Sequence, residues 1–119
     1  MVSRPEELAD RTKAFALRTI RLIRSLPYRT DTQILGKQLL RCGTSVVANY
    51  RAVCRARSKA EFIARIGIVA EEADESVLWT ELLTESGIVK QKMPRDQLKE
   101  AEELSAILTA SQQTAKRTT

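Results

Sequence analysis

Apolar residues recur along this chain at steps of three, four and seven, the spacing that gathers them on one face of a helix. Between Glu6 and Leu26 the series is Leu8, Thr12, Phe15, Thr19, Leu22, Ile23 and Leu26. Glu6, Glu7 and Asp10 stand in its first turns, where negative charge suits the positive end of the helix dipole, and Pro27 forbids continuation. A second helix is predicted over residues 31–54, carrying Ile34, Leu35, Gln38, Leu39, Cys42, Val46 and Val53, with Gly36 and Gly43 lowering its propensity. Ser58 followed by Glu61 reads as a capping box, in which hydroxyl and carboxylate each accept from an orphan backbone N–H of the first turn. It opens a third helix over 58–86, with Phe62, Ile66, Val69, Ala73, Val77 and Thr80 inward and Gly87 as its left-handed cap. Pro94 suits the first turn of a fourth helix over 94–115, with Leu98, Ala101, Leu104, Ser105, Leu108 and Ala115 on one side. The tail beyond Ala115 reads as polar and frayed.

Four helices joined by short loops have one economical packing, an antiparallel up-down-up-down four-helix bundle. The expected fold is therefore all-α, with residues 1–119 forming a single domain.

Some apolar residues fall outside these stripes. At about 100° per residue, Ile68, Trp79 and Leu82 lie away from the inner face of the third helix, with Glu72 and Glu75 between them. On the first helix Leu17 and Ile20 sit among Arg21 and Arg24. Scattered surface hydrophobes, or a helix rotated about its axis, are the bland readings. A subunit interface is preferred, because two helices share the feature and Trp is enriched at interface centres.

Charge changes the picture next. The net charge of +5 is unevenly spread: 12 basic against 4 acidic residues through Arg57, then 8 basic against 11 acidic. The basic first half suits either nucleic acid or the acidic second half of a neighbouring subunit. Arg18, Arg21, Arg51, Arg55 and Arg57 are the residues placed to meet phosphates. The ordinary alternative is a solvated face. With only 5 aromatic residues, and Phe15 and Phe62 assigned to the core, backbone or shape recognition fits better than a stacking platform.

Candidate chemistry is sparse. The chain has no His, and Cys42 and Cys54, 12 residues apart on one helix, lie about 18 Å apart, beyond disulfide reach. Neither a zinc ligand set nor a Ser-His-Asp or Cys-His arrangement can be assembled. Glu71, Glu72, Asp74 and Glu75 invite a metal reading, but di-iron bundles need Glu-x-x-His motifs. An ion pair of Arg41 with Glu72, with Gln38 opposite Glu75, is the preferred use. Neither metal nor cofactor is expected, nor an enzyme. No run of about 18 apolar residues and no leader pattern is present, so a cytoplasmic protein without membrane contact is expected.

Ser45-Val-Val-Ala-Asn49, followed by Arg57-Ser58 and Glu61-Phe62, resembles the bacterial four-helix bundle protein family. That family includes proteins encoded in intervening sequences of large-subunit ribosomal RNA genes, and the similarity extends over nearly the whole chain. The resemblance implies a left-handed up-down bundle that assembles into a homo-oligomeric, usually pentameric, ring. A relative, the accessory variability determinant of diversity-generating retroelements, looks like a basic pentameric barrel that binds RNA and a reverse transcriptase. Where the commoner pattern has Asn-Ile-Ala-Glu-Gly, this chain has Asn49-Tyr50-Arg51-Ala52, which alters charge at a turn. Ser45 and Asn49, one turn apart on an inner edge where polar groups need hydrogen bonds, have a functional reading as a ligand contact; the structural one is preferred, in which Asn49 ties the helix end to a neighbouring backbone group. The leading expectation is a non-enzymatic, homo-oligomeric scaffold binding RNA or a nucleic-acid-handling protein through its basic surface. The alternative is a protein-protein interaction module with no nucleic-acid role. No small-molecule substrate is implied.

Overall fold

A computed structural model describes residues 4–89 and 92–118. They form four α-helices: α1 Pro5–Ser25, α2 Thr30–Val53, α3 Lys59–Glu85 and α4 Lys92–Arg117. No strand occurs among the described residues.

Local chemistry sets most of the ends. Pro5 occupies the first position of α1, where its missing N–H is no loss, and Leu26 leaves the helix in an extended conformation just before Pro27. α2 starts without a side-chain cap; the Asp31 carboxylate instead accepts from the Thr32 N–H at 2.7 Å. At α3, Ser58 Oγ accepts from the Glu61 N–H at 3.0 Å. The return half of the expected box is shifted by one residue, since Glu61 accepts from the Arg57 N–H at 3.1 Å rather than from the cap itself. Gly87, at φ 79°, turns the chain out of α3, its N–H donating to Thr84 O. α4 runs on to Arg117, two residues past the expected end.

Side-chain contacts give the direction of each helix. Tyr50 Oη donates to Pro5 O at 3.4 Å, joining the end of α2 to the start of α1, while Gly36 near the start of α2 stands beside Ile23 and Leu26. Gln112 near the end of α4 donates to Ile63 O near the start of α3 at 3.1 Å. Arg41 and Cys42 of α2 meet Glu72, Glu75 and Ser76 of α3 across the 54–58 turn. Consecutive helices thus run antiparallel in a body of 49 × 22 × 19 Å. α3 packs closely along both α2 and α4; α1 and α4 close the bundle more loosely.

The core is divided along its length. One cluster holds Leu8, Phe15, Val46, Tyr50, Val53, Ile66, Val69, Ala101, Leu104 and Leu108; a smaller one, toward the α1–α2 loop, holds Leu22, Leu39, Cys42 and Leu83. Between them in sequence on α1 and α3 lie buried Thr19, Ser76 and Thr80, and α4 adds the buried Gln97 ahead of Ala101. Three of these hydroxyls are satisfied within their own helices, donating to the carbonyl four residues back: Thr19 to Phe15 at 2.9 Å, Ser76 to Glu72 at 2.9 Å and Thr80 to Ser76 at 2.7 Å. Cys42 is buried and Cys54 exposed, and neither is in a disulfide. Burial pushes the Cys42 thiol above its ordinary range, which keeps it neutral and unreactive.

Candidate functional site

The fold turns a sequence asymmetry into a spatial one. From Arg11 to Arg29 and from Thr32 to Ala60 the chain contains no Asp or Glu. These stretches become most of α1 and α2, which are neighbours, so one side of the bundle is almost free of carboxylates. The acidic residues from Glu61 onward belong to α3 and α4.

Two arginines tie the sides together at their edges. Arg11 Nη2 lies 2.6 Å from Glu100 Oε1 and 3.0 Å from Glu103 Oε2, which closes the loose α1–α4 side. Arg41 pairs with Glu72 at 3.4 Å and, more closely, with Glu75, while its Nε donates to Gln38 Oε1 at 3.2 Å. Lys13, Arg21, Arg24, Lys37 and Arg51 are exposed on the α1–α2 side and form no ion pair among the described residues.

The five arginines named from the sequence do not form one patch. Arg51 shares a shallow groove of about 320 Å³ with Lys13, Leu17, Ile20 and Val47, and Arg21 lies one turn beyond Leu17 on the same helix. Arg55 and Arg57 continue this side at the α2–α3 turn, in a depression shared with Glu61 and Arg65. Arg18 is separate. A step of about 100° from Leu17 carries it toward α4, into a depression lined by Asp96, Lys99, Glu100 and Glu103. It forms no ion pair among the described residues, but three carboxylates line the same depression.

The second apolar stripe is similarly divided. Leu17, Ile68 and Leu82 are 43%, 46% and 40% exposed, and Ile20 is half-buried. Trp79 leans inward: it packs against the cluster of Leu22, Leu39, Cys42 and Leu83, and its Nε1–H donates to Glu75 Oε1 at 3.1 Å. Leu78, one turn before Leu82 and 47% exposed, takes its place on the outer face of α3. Its i, i+4 relation to Leu82 was a signal available in the sequence.

Of the polar residues named from the sequence, Arg41, Asn49, Ser58, Glu61, Glu72 and Glu75 make side-chain hydrogen bonds within the chain, while Ser45 takes part through its backbone carbonyl. Asn49 Nδ2 donates to Ser45 O at 3.0 Å, so the backbone group it engages lies one turn back in its own helix. Glu61 accepts from both the Arg57 N–H and Arg65 Nε, and these bonds, the backbone one foremost, hold its carboxyl below the ordinary range. Burial pushes the Glu72 carboxyl up, and Arg41 offsets only part of this because its closer partner is Glu75. Glu71 and Asp74 point into solvent, and no three potential ligands converge among the described residues.

One buried pair escaped the sequence reading. Gln97 Nε2 donates to Thr19 Oγ1 at 2.6 Å, while its Oε1 is buried without a partner. The steps from Gln97 to Ala101, Leu104 and Leu108 are four, three and four, which places it on the apolar stripe of α4.

No helix among the described residues is long and apolar enough to cross a membrane. Comparison with curated proteins gives no match. Among solved structures, a protein of unknown function from the S23 ribosomal protein family of Bacteroides thetaiotaomicron VPI-5482 superposes with a TM-score of 0.83. It is 28% identical, and the match covers 92% of this chain and 97% of that one. The profile of the 23S rRNA-intervening sequence protein family matches residues 6–110, from the second residue of α1 to seven residues before the end of α4. On that match the chain belongs to the 23S rRNA-intervening sequence protein family.

Proposed function

We propose that the protein is a non-enzymatic helical scaffold that associates with copies of itself and binds RNA, or a nucleoprotein, through the α1–α2 side of the bundle. The observation that carries this reading is the one-signed surface: two adjacent helices present Lys13, Arg21, Arg24, Lys37 and Arg51 with no carboxylate between Arg11 and Arg29 or between Thr32 and Ala60. Such a surface gains affinity for a polyanion by releasing its counterions. Arg55 and Arg57 extend it beyond the end of α2. Self-association is supported by the exposed Leu17, Ile68, Leu78 and Leu82, which lie among charged residues on the outer faces of α1 and α3. Repetition of a weak basic site around an assembly multiplies its avidity.

A second reading is favoured by the shallow groove of Leu17, Ile20 and Val47 at the centre of the basic side. There the protein is an interaction module for an acidic, partly apolar protein partner. Light scattering of the purified protein, with and without RNA, separates these readings. The RNA reading expects a particle heavier than the 13.4 kDa chain that gains further mass with RNA. A particle that ignores RNA, together with partner capture that survives nuclease treatment, favours the protein module.

A further inference from the structure

Resting on the RNA reading above, the corner between α1 and α2 adds a feature that a charged face alone does not have. Of the five aromatic residues, Phe15 and Tyr50 are buried and Phe62 and Trp79 half-buried, while Tyr28 is 89% exposed. It stands in the 26–29 loop at the rim of a cleft of about 610 Å³. Ile23, Leu26 and Ile34 form an apolar floor there, and Gln33 and Lys37 supply polar groups. Arg29 follows Tyr28 directly, and Arg24 lies in the last turn of α1. Asp31, the one carboxylate between Arg11 and Ala60 in the sequence, is engaged by the Thr32 N–H at 2.7 Å and by Arg29 at 3.6 Å.

We propose that this corner takes one unpaired base of an RNA strand, stacked on the ring of Tyr28, with its flanking phosphates held by Lys37 and Arg24. A phenol ring offers a flat face to any base, and stacking of this kind accounts for a large share of single-strand affinity. Gln33, exposed in the cleft, has both a donor and an acceptor for a base edge. A base-paired strand keeps its bases within its own stack and gains nothing from the ring. The corner therefore distinguishes unpaired from paired RNA, whereas the remainder of the basic side treats them alike.

The test compares wild type, Tyr28→Ala and Tyr28→Phe by fluorescence anisotropy on two labelled RNAs of equal length, one single-stranded and one fully paired. Tyr28→Ala is expected to weaken single-strand binding by about tenfold or more, to leave duplex binding unchanged, and to be rescued by Tyr28→Phe. Because the side chain is exposed, helicity by circular dichroism stays that of wild type. Unchanged single-strand affinity in Tyr28→Ala overturns the proposal, as does equal weakening on both RNAs. A drop in solution mass for Tyr28→Ala also overturns it, by assigning the ring to a subunit contact. If wild type binds neither RNA, the RNA reading itself fails; if wild type binds and Tyr28→Ala matches it, only the stacking role falls.

Discussion

Thr19 of α1 stands directly against Gly43 of α2, and the chemistry there is unforgiving. A Cβ at position 43 would stand 2.9 Å from Thr19 Oγ1 and 3.0 Å from its Cγ2. The threonine cannot swing aside without breaking its bonds to Phe15 O and Gln97. Gly43→Ala is therefore expected to destabilise by about 1–3 kcal/mol despite a better helix propensity. Gly36 is the control: a Cβ there would make ordinary contacts of 3.4 and 3.5 Å with Leu26 and Ile23, so Gly36→Ala is expected to stabilise by up to about 1 kcal/mol. Urea unfolding of the two variants checks that the signs are opposite. The Thr19–Gln97 pair carries an asymmetry of its own. Thr19→Val strips the buried Gln97 amide of its partner, at a cost of about 1–3 kcal/mol. Gln97→Leu removes an orphaned acceptor while the Thr19 hydroxyl keeps Phe15 O, and is expected to be neutral or stabilising in the same assay. Neither pairing was legible in the sequence, because spacing along one helix says nothing about what stands across from it.

At the scale of elements the helix boundaries follow signals written locally. Pro27, Ser58 and Gly87 each act within a turn of their own position, so these three boundaries were readable without knowing any neighbour. Ser58→Ala is expected to lower stability by about 1 kcal/mol through loss of the cap. Acid acts on the same element with a definite sign. Glu61 ionises below its ordinary 4.5 in the folded protein, so what it contributes is full above that value and is lost as pH falls through the lowered one. Glu72, pushed up by burial, is opposite: its contribution is full below 4.5 and is lost as pH rises through its raised value. Carboxylate chemical shifts followed by NMR should place Glu61 and Glu72 on either side of an ordinary glutamate. The face each helix turns outward was less legible. α3 carries apolar residues on two sides, and one stripe alone does not set its rotation, which is why Trp79 lies half inside and Leu78 outside. Arg18 shows the same effect on α1, where a single step about the axis exchanges a basic neighbourhood for the carboxylates of α4.

At the scale of the molecule, chain order and antiparallel topology together separate charge. Helices adjacent in sequence are adjacent in space, so a basic first half and an acidic second half become two sides of one body. The exposed leucines and isoleucine of α1 and α3 then give a second expectation. Ile68→Arg combined with Leu82→Arg should reduce the solution mass found by light scattering while leaving helicity unchanged, since neither side chain belongs to the core clusters. The basic side is tested most directly by the salt dependence of RNA binding in three proteins: wild type, Arg21→Ala combined with Arg51→Ala, and Arg18→Ala. Removing one arginine–phosphate interaction should lower the slope of log affinity against log salt by roughly 0.7 to 0.9. The expected result is a shallower slope and about tenfold weaker binding for the double variant, with Arg18→Ala close to wild type. A double variant whose affinity and slope coincide with those of wild type would contradict a role for the α1–α2 side in holding RNA.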